Sequence, residues 1–411
     1  MTRVKLFSCL LFIVLKTNGQ YLWQIYPDTI IKWNYYDGDE FNKAFINNDR
    51  WHIGFPWGKN IISQSTLVSD SNIYLNTSIA RFILKQDSNL IKLEPWQIDT
   101  IKFKKDKINL VGKNKILFKY SGALLWSKKQ FKYGYFEIKF KAPDGQGIWP
   151  AFWLYAGNAN NEIDFFELKG EQERKIHVDI HCPEGCSNYK EFLNYRKGWG
   201  HWVNTDQTLK ENYNVVSGEW SPDFVKWYLN GNLIAYSNHS FDMPMNLTVG
   251  TGIAKNNGAF KPGPNKKTPF PNFFDVDYVR VYKTDTLPNL RMVKDNLTLN
   301  SDTLFKNKGG DLKAKKTRKK LINKPKGIKT DPFLITLSVT QVSSFIFSIR
   351  ALGITDNDTL IISILNNSNE LIRKIFVKEA GETLFLSEDR GDYTLRIEVN
   401  GQIIKEKIRF E

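Results

Sequence analysis

Between residues 21 and 282 the chain is a succession of short β-like runs broken by Gly, Pro, Asn and Asp, and no segment sustains a helical period. Strand-like runs fall at 135–142, 148–155, 162–168, 176–181, 224–229 and 276–282. Many short strands separated by turn signals bury their apolar faces by stacking sheet on sheet or by closing a barrel. A single all-β unit of about 260 residues is an ordinary size for that class.

After a polar, Lys/Asn-rich stretch at 284–330, strand-like runs resume at 333–340, 344–350, 359–365, 371–377, 393–399 and 403–410. Residues 331–411 therefore read as a small Ig-like β-sandwich of unknown role, carried on a flexible basic linker. All twelve Trp lie between Trp23 and Trp227, so aromatic chemistry belongs to the first unit. The net charge is +15, but residues 306–330 hold eleven Lys/Arg against one acid, Asp311, and account for +10 of it. The charge describes a solvated linker rather than a basic fold. No nucleic-acid-reading motif accompanies it, so nucleic acid is not an expected partner.

Residues 1–19 look like a secretory signal: Arg3 and Lys5, then a ten-residue apolar run at 6–15, then the small residues Thr17 and Gly19. Gln20 would open the mature chain, placing it outside the cell, in a periplasm or at the cell surface. The alternative is a buried N-terminal strand. No later run is long enough for a transmembrane helix. Cleavage removes Cys9 and leaves Cys182 and Cys186 in a C-x3-C pair. In an exported protein that pair reads as a loop-closing disulfide. The rival, half of a metal site, lacks a second ligand pair at zinc-like spacing.

The most informative segment is Glu162-Ile163-Asp164-Phe165-Phe166-Glu167. Alternation puts Glu162 and Asp164 on one face, but would place Phe166 beside them and bury Glu167. A lone buried carboxylate is costly. One extra residue at the Phe pair, a β-bulge, sends both rings inward and returns Glu167 to the acidic face. The two Glu are then about four strand steps apart, roughly 13 Å between Cα atoms. Leaning together, their carboxyls reach about 5–6 Å, the separation that a retaining double displacement uses. Asp164 between them can hold the two in different protonation states. A calcium site on a strand and a solvated acidic edge are the competing readings.

The preceding run, 147–155, puts Trp149, Ala151, Trp153 and Tyr155 on one face. Flat aromatics with a small residue between them suit the apolar C–H faces of a pyranose. Core packing is the plain alternative for both Trp. In the following run, His177, Asp179 and His181 share the face opposite Ile176, Val178 and Ile180. Paired with the acid strand, they would border the acids, as catalytic neighbours or as satisfied structural groups.

These residues resemble glycoside hydrolase family 16. The motifs Tyr133-Gly134-Tyr135-Phe136-Glu137, Gly147-Ile148-Trp149-Pro150-Ala151-Phe152-Trp153-Leu154, the acid strand, Glu219-Trp220-Ser221-Pro222-Asp223 and Asp277-Tyr278-Val279-Arg280-Val281-Tyr282 occur in the family's order. The resemblance implies a concanavalin-like β-jelly-roll over residues 20–283, with a substrate cleft on its concave face. It implies a retaining mechanism with Glu162 as nucleophile, Glu167 as acid/base and Asp164 as the assisting carboxylate. It implies sugar subsites lined by Trp149, Trp153, Trp220 and a His, for which His181 is the choice. The six-residue acid motif is similar to the laminarinase, agarase and carrageenase branches. No cofactor is implied for catalysis; Glu40 and Asp277 stand where the family often holds a structural calcium. The segment from Met243 to Gly250 follows the pattern only loosely. The expected activity is endo-hydrolysis of a β-1,3- or mixed-linkage β-glucan by a monomer. A galactanase, a transglycosylase and a non-catalytic glycan-binding protein are the alternatives.

Overall fold

In a computed structural model, the described residues are 19–25, 30–59, 65–105, 108, 110–157, 161–181, 199–205, 207–237, 240–285, 335–343, 346–352, 358–377, 383–386 and 388–410. The expected signal at 1–18, the Cys182–Cys186 pair and nearly all of the linker lie outside them.

The first unit is a sandwich of two sheets, antiparallel except where Thr66–Val68 runs parallel to Lys115–Phe131. The inner sheet runs, strand by neighbouring strand, through Trp51–Ile53, Lys115–Phe131, Met245–Ile253, Ile148–Tyr155, Glu162–Glu167, Lys175–His181 and Trp199–Asn204. The outer sheet runs through Asn232–Ser237, Val225–Leu229, Asn214–Trp220, Gly134–Lys141 and Asn272–Lys283. The last of these then pairs Ile79–Lys92 along one half and Ile30–Asp39 along the other. Alternation along Ile148–Tyr155 explains the layering: Ile148, Phe152 and Leu154 are buried, while Trp149, Ala151, Trp153 and Tyr155 are half-exposed on the far face. The buried face of the inner sheet meets the outer sheet in an aromatic core. Phe166 stacks on Phe140 at 4.5 Å between ring centroids, and Phe165 on Phe136 at 5.2 Å.

The expected separation of the C-terminal unit is corrected in one respect. The N-terminal strand Gly19–Ile25 pairs with Ile30–Asp39 on one side and with Ile335–Ser343 on the other. The outer sheet thus continues into the C-terminal module through Ile346–Leu352 and Thr383–Leu386. Trp23 is 2% exposed and packs in the module's core with Leu337 and Val339. Lys32 also bridges to Glu406 at 2.8 Å. The module's second sheet is Leu371–Val377, Leu360–Leu365, Gly391–Val399 and Gln402–Phe410. A β-sandwich module was legible in the alternation. Its attachment was not, because it depends on a strand some 300 residues away in the sequence.

Candidate active site

Three rows of side chains cross the inner sheet. Tyr155, Glu162 and His181 stand opposite one another on adjacent strands, then Trp153, Asp164 and Asp179, then Ala151, Glu167 and His177. Between the outer rows the acid strand advances five residues, whereas each neighbour advances four. The register breaks on both sides of the acid strand absorb the difference at the Phe pair. This is the bulge that the alternation conflict demanded, and both Phe165 and Phe166 are fully buried. The bulged backbone is also pinned from behind, where the Trp227 indole donates to the Asp164 carbonyl at 2.8 Å.

The acids line a cleft of about 580 Å³. At the Glu167 end, Trp149 Nε1–H donates to Glu167 Oε1 at 2.9 Å, and His177 Nδ1 lies 3.2 Å from Oε2. In the middle, His181 Nε2 lies 3.4 Å from Oδ2 of both Asp164 and Asp179. Asp179 Oδ1 accepts the Ile180 amide at 2.7 Å. Burial, reinforced by the Asp164 charge, pushes the Glu162 carboxyl well above the ordinary carboxylate range, with His181 pulling the other way. Burial and the charges of Glu167 and Asp179 raise Asp164 likewise. Glu162 and Asp164 share a hydrogen bond and so can hold one proton between them. Burial opposes a charge on His181, but Asp179, Glu162 and Glu167 together outweigh it and raise the imidazole.

Aromatic rings close both ends. Trp57, 46% exposed, stacks on Phe55 at 5.1 Å and meets Trp126 and Tyr155 edge-on. At the other end Phe260 stacks on Trp149 at 4.6 Å and 14°, beside His177 and Trp202. Neither Trp57 nor Phe260 was singled out from the sequence. Trp57 had a usable signal, an aromatic between Pro56 and Gly58 in a turn, whereas Phe260 had none.

Of the expected site residues, Glu162, Asp164, Glu167, Trp149, Trp153 and His181 meet in this cleft. Trp220 does not, and its subsite assignment is corrected. It is fully buried on the outer sheet, packs edge-on against Tyr133 at 5.2 Å and donates Nε1–H to Ser240. It ends a strand whose every residue is buried, so its ring fills the sandwich core. Glu40 and Asp277 are not gathered as ligands: both oxygens of Glu40 accept from the Arg280 guanidinium at 2.7 and 2.9 Å, and Asp277 pairs with Lys139 at 2.6 Å. Buried carboxylates satisfied by cations of the chain itself present ion pairs, not a vacant calcium cage. Among the described residues, the groups whose donor atoms could hold a metal ion are in the cleft, Glu162–Asp164–His181 and Glu167–His177–Asp179.

Residues 85–263 match the sequence profile of Glycosyl hydrolases family 16. The chain is 29% identical over 279 residues to glucan endo-1,3-beta-glucosidase A1 of Niallia circulans, covering 61% of this chain and 35% of that protein. It is 29% identical over 182 residues to the beta-glucanase of Rhodothermus marinus, covering 38% of this chain and 59% of that one. The chain thus spans about a third of the length of the first relative and less than two thirds of the second. The fold resembles the solved endo-beta-1,3-glucanase of Pyrococcus furiosus, with a TM-score of 0.50 at 23% identity, over 62% of this chain and 97% of that structure. The acid strand, both strands that flank it and the Phe260 loop all fall inside the matched stretch, so the segment that carries the site is a match to glycosyl hydrolases family 16.

Proposed function

We propose that this chain is an exported endo-acting glycoside hydrolase that cleaves a β-1,3- or mixed-linkage β-glucan with retention of anomeric configuration. The observation that carries the reading is the row of Glu162, Asp164 and Glu167 on one face of a bulged strand, along the floor of an aromatic-ended cleft. The two relatives named above, both glucanases by name, support the substrate class. A pure binding site has no use for two Glu flanking an Asp that repels both.

In the first step the ionised Glu162 carboxylate attacks the anomeric carbon while Glu167 protonates the glycosidic oxygen. The carbon–oxygen bond breaks, the leaving sugar departs with that proton, and a glycosyl ester on Glu162 remains. Glu167 then takes a proton from water, which attacks the same carbon and frees Glu162. The positive charge developing on the sugar favours the state in which the shared proton sits on Asp164, leaving Glu162 ionised. Trp149 and His177 hold the Glu167 carboxyl in place. Nothing in this scheme requires a metal or cofactor.

The test incubates the purified protein with laminarin, mixed-linkage glucan, agarose and carrageenans, reading reducing ends, product sizes and early anomeric configuration by NMR. The expected result is glucan cleavage to oligosaccharides with a β-configured first product. Glu162→Gln should lose on the order of 10³-fold or more in turnover while still binding the glucan. An α-configured product sinks the double displacement. Salt-sensitive cleavage of a carrageenan and none of laminarin would move the substrate to a sulfated galactan.

A further inference from the structure

Phe260 has a left-handed backbone, with φ at +56°, a conformation that costs an aromatic residue free energy. Its loop is tied down just after that residue. Lys169 Nζ donates to the Lys261 carbonyl at 2.5 Å, and Gln146 Nε2 to the Gly263 carbonyl at 2.7 Å. The Gly263 amide in turn donates to Asn256 Oδ1 at 2.9 Å. The loop also lies so close to Gly147 that a Cβ there would come within 2.3 Å of the Pro264 nitrogen. The backbone is therefore held in its unfavourable state, and the ring lies flat against Trp149.

The ring also contacts His177 edge-on at 5.4 Å between centroids. Trp149 and His177 are the two residues that hold the Glu167 carboxyl. A pyranose stacks on a tryptophan face with the same flat, apolar contact that the Phe260 ring makes. The face of Trp149 that would serve as a sugar platform at this end is therefore already taken by the chain itself.

We infer that Phe260 sets how many sugars the cleft accepts at its Glu167 end, by filling the platform that Trp149 would otherwise offer to one more residue of the glycan. This rests on the glycan cleft proposed above. It makes Phe260 a specificity-determining residue, not a catalytic one, and predicts that its removal changes chain-length dependence more than turnover.

The experiment measures kcat/KM and cleavage position on a β-1,3-gluco-oligosaccharide ladder for the unaltered protein, Phe260→Gly and Phe260→Trp. Glycine adopts a positive φ without a Cβ penalty, so Phe260→Gly removes the ring while leaving the loop its conformation. The expected result is that kcat/KM goes on rising for one sugar beyond the length at which the unaltered protein levels off. The gain at that length should be about three- to ten-fold, the worth of one stacked ring. Phe260→Trp keeps the platform closed and should level off where the unaltered protein does. An unaltered profile in a folded Phe260→Gly, judged by its thermal unfolding, overturns the inference alone. An unaltered protein inactive on every glycan of the panel overturns the proposed function and this inference together.

Discussion

Gly218 lies under the bulge, and replacing it by alanine tests whether the buried Phe pair positions the acids. A Cβ at Gly218 would stand 2.0 Å from Phe165 Cδ1 and 2.1 Å from Cε1. Carbon atoms in contact prefer roughly 3.5–4 Å, so the ring or a strand must shift by about 1.5 Å. The ring has no free direction, because it is fully buried between Phe136 and Phe152. Overpacking a tight core costs typically 1–3 kcal/mol, and this site belongs at or above the upper end, about 3 kcal/mol. For a unit of this size that lowers the melting temperature by roughly 6–12 °C. The displaced strand carries Asp164 and Glu167 on either side of the Phe pair, and an error of about 1 Å in a catalytic group can cost 10²-fold. Gly218→Ala should therefore lose both stability and kcat, read by thermal unfolding and by initial rates on a soluble glucan. Adding Phe165→Leu should recover part of both, as coupled neighbours do. Wild-type melting and wild-type kcat in Gly218→Ala would refute the view that core packing beneath the bulge sets the carboxylate geometry.

Three further outcomes follow from the same structure. His181 holds down the Glu162 carboxyl, so His181→Gln should raise it further; because the proposed attack needs Glu162 ionised, the acid limb of the kcat–pH profile should move to higher pH, and a limb that stays put or moves lower contradicts the pairing. Ending the chain after Lys283 uncovers Trp23 and removes a partner strand, costing roughly 3 kcal/mol for the tryptophan alone; melting should fall clearly while kcat at 25 °C is kept, and unchanged melting would mean the shared strand contributes nothing. Glu40→Gln leaves the buried Arg280 unpaired and should destabilise by about 3–5 kcal/mol, whereas a chelator should leave the melting of the unaltered protein where it was; chelator sensitivity that vanishes in Glu40→Gln would restore the calcium reading.

The sequence alone determined the all-β class, the main strands, the acidic face and the bulge. Each of these rests on local period or on a local conflict. The spacing Glu162-x-Asp164-x-x-Glu167 cannot keep all three acids on one face unless one residue is absorbed, and that holds whatever surrounds the strand. Likewise Ile148–Tyr155 announces two faces by its alternation.

Tertiary structure decided which neighbours meet those faces. The family resemblance offers both Trp149 and Trp220 as sugar platforms, although alternation places only Trp149 in the aromatic row. One faces the cleft and the other fills the core, because only the pairing of the two sheets says which side of each strand is covered. Phe260 and Trp57 reach the cleft from loops remote in sequence, and no periodicity marks a loop side chain that is placed by the contacts of its flanks. Glu40 and Asp277 looked available for a cation until the fold brought Arg280 and Lys139 against them. The strand Gly19–Ile25 shows the same limit at the level of architecture, since a strand's own pattern records that it needs neighbours on both edges but not which segments supply them.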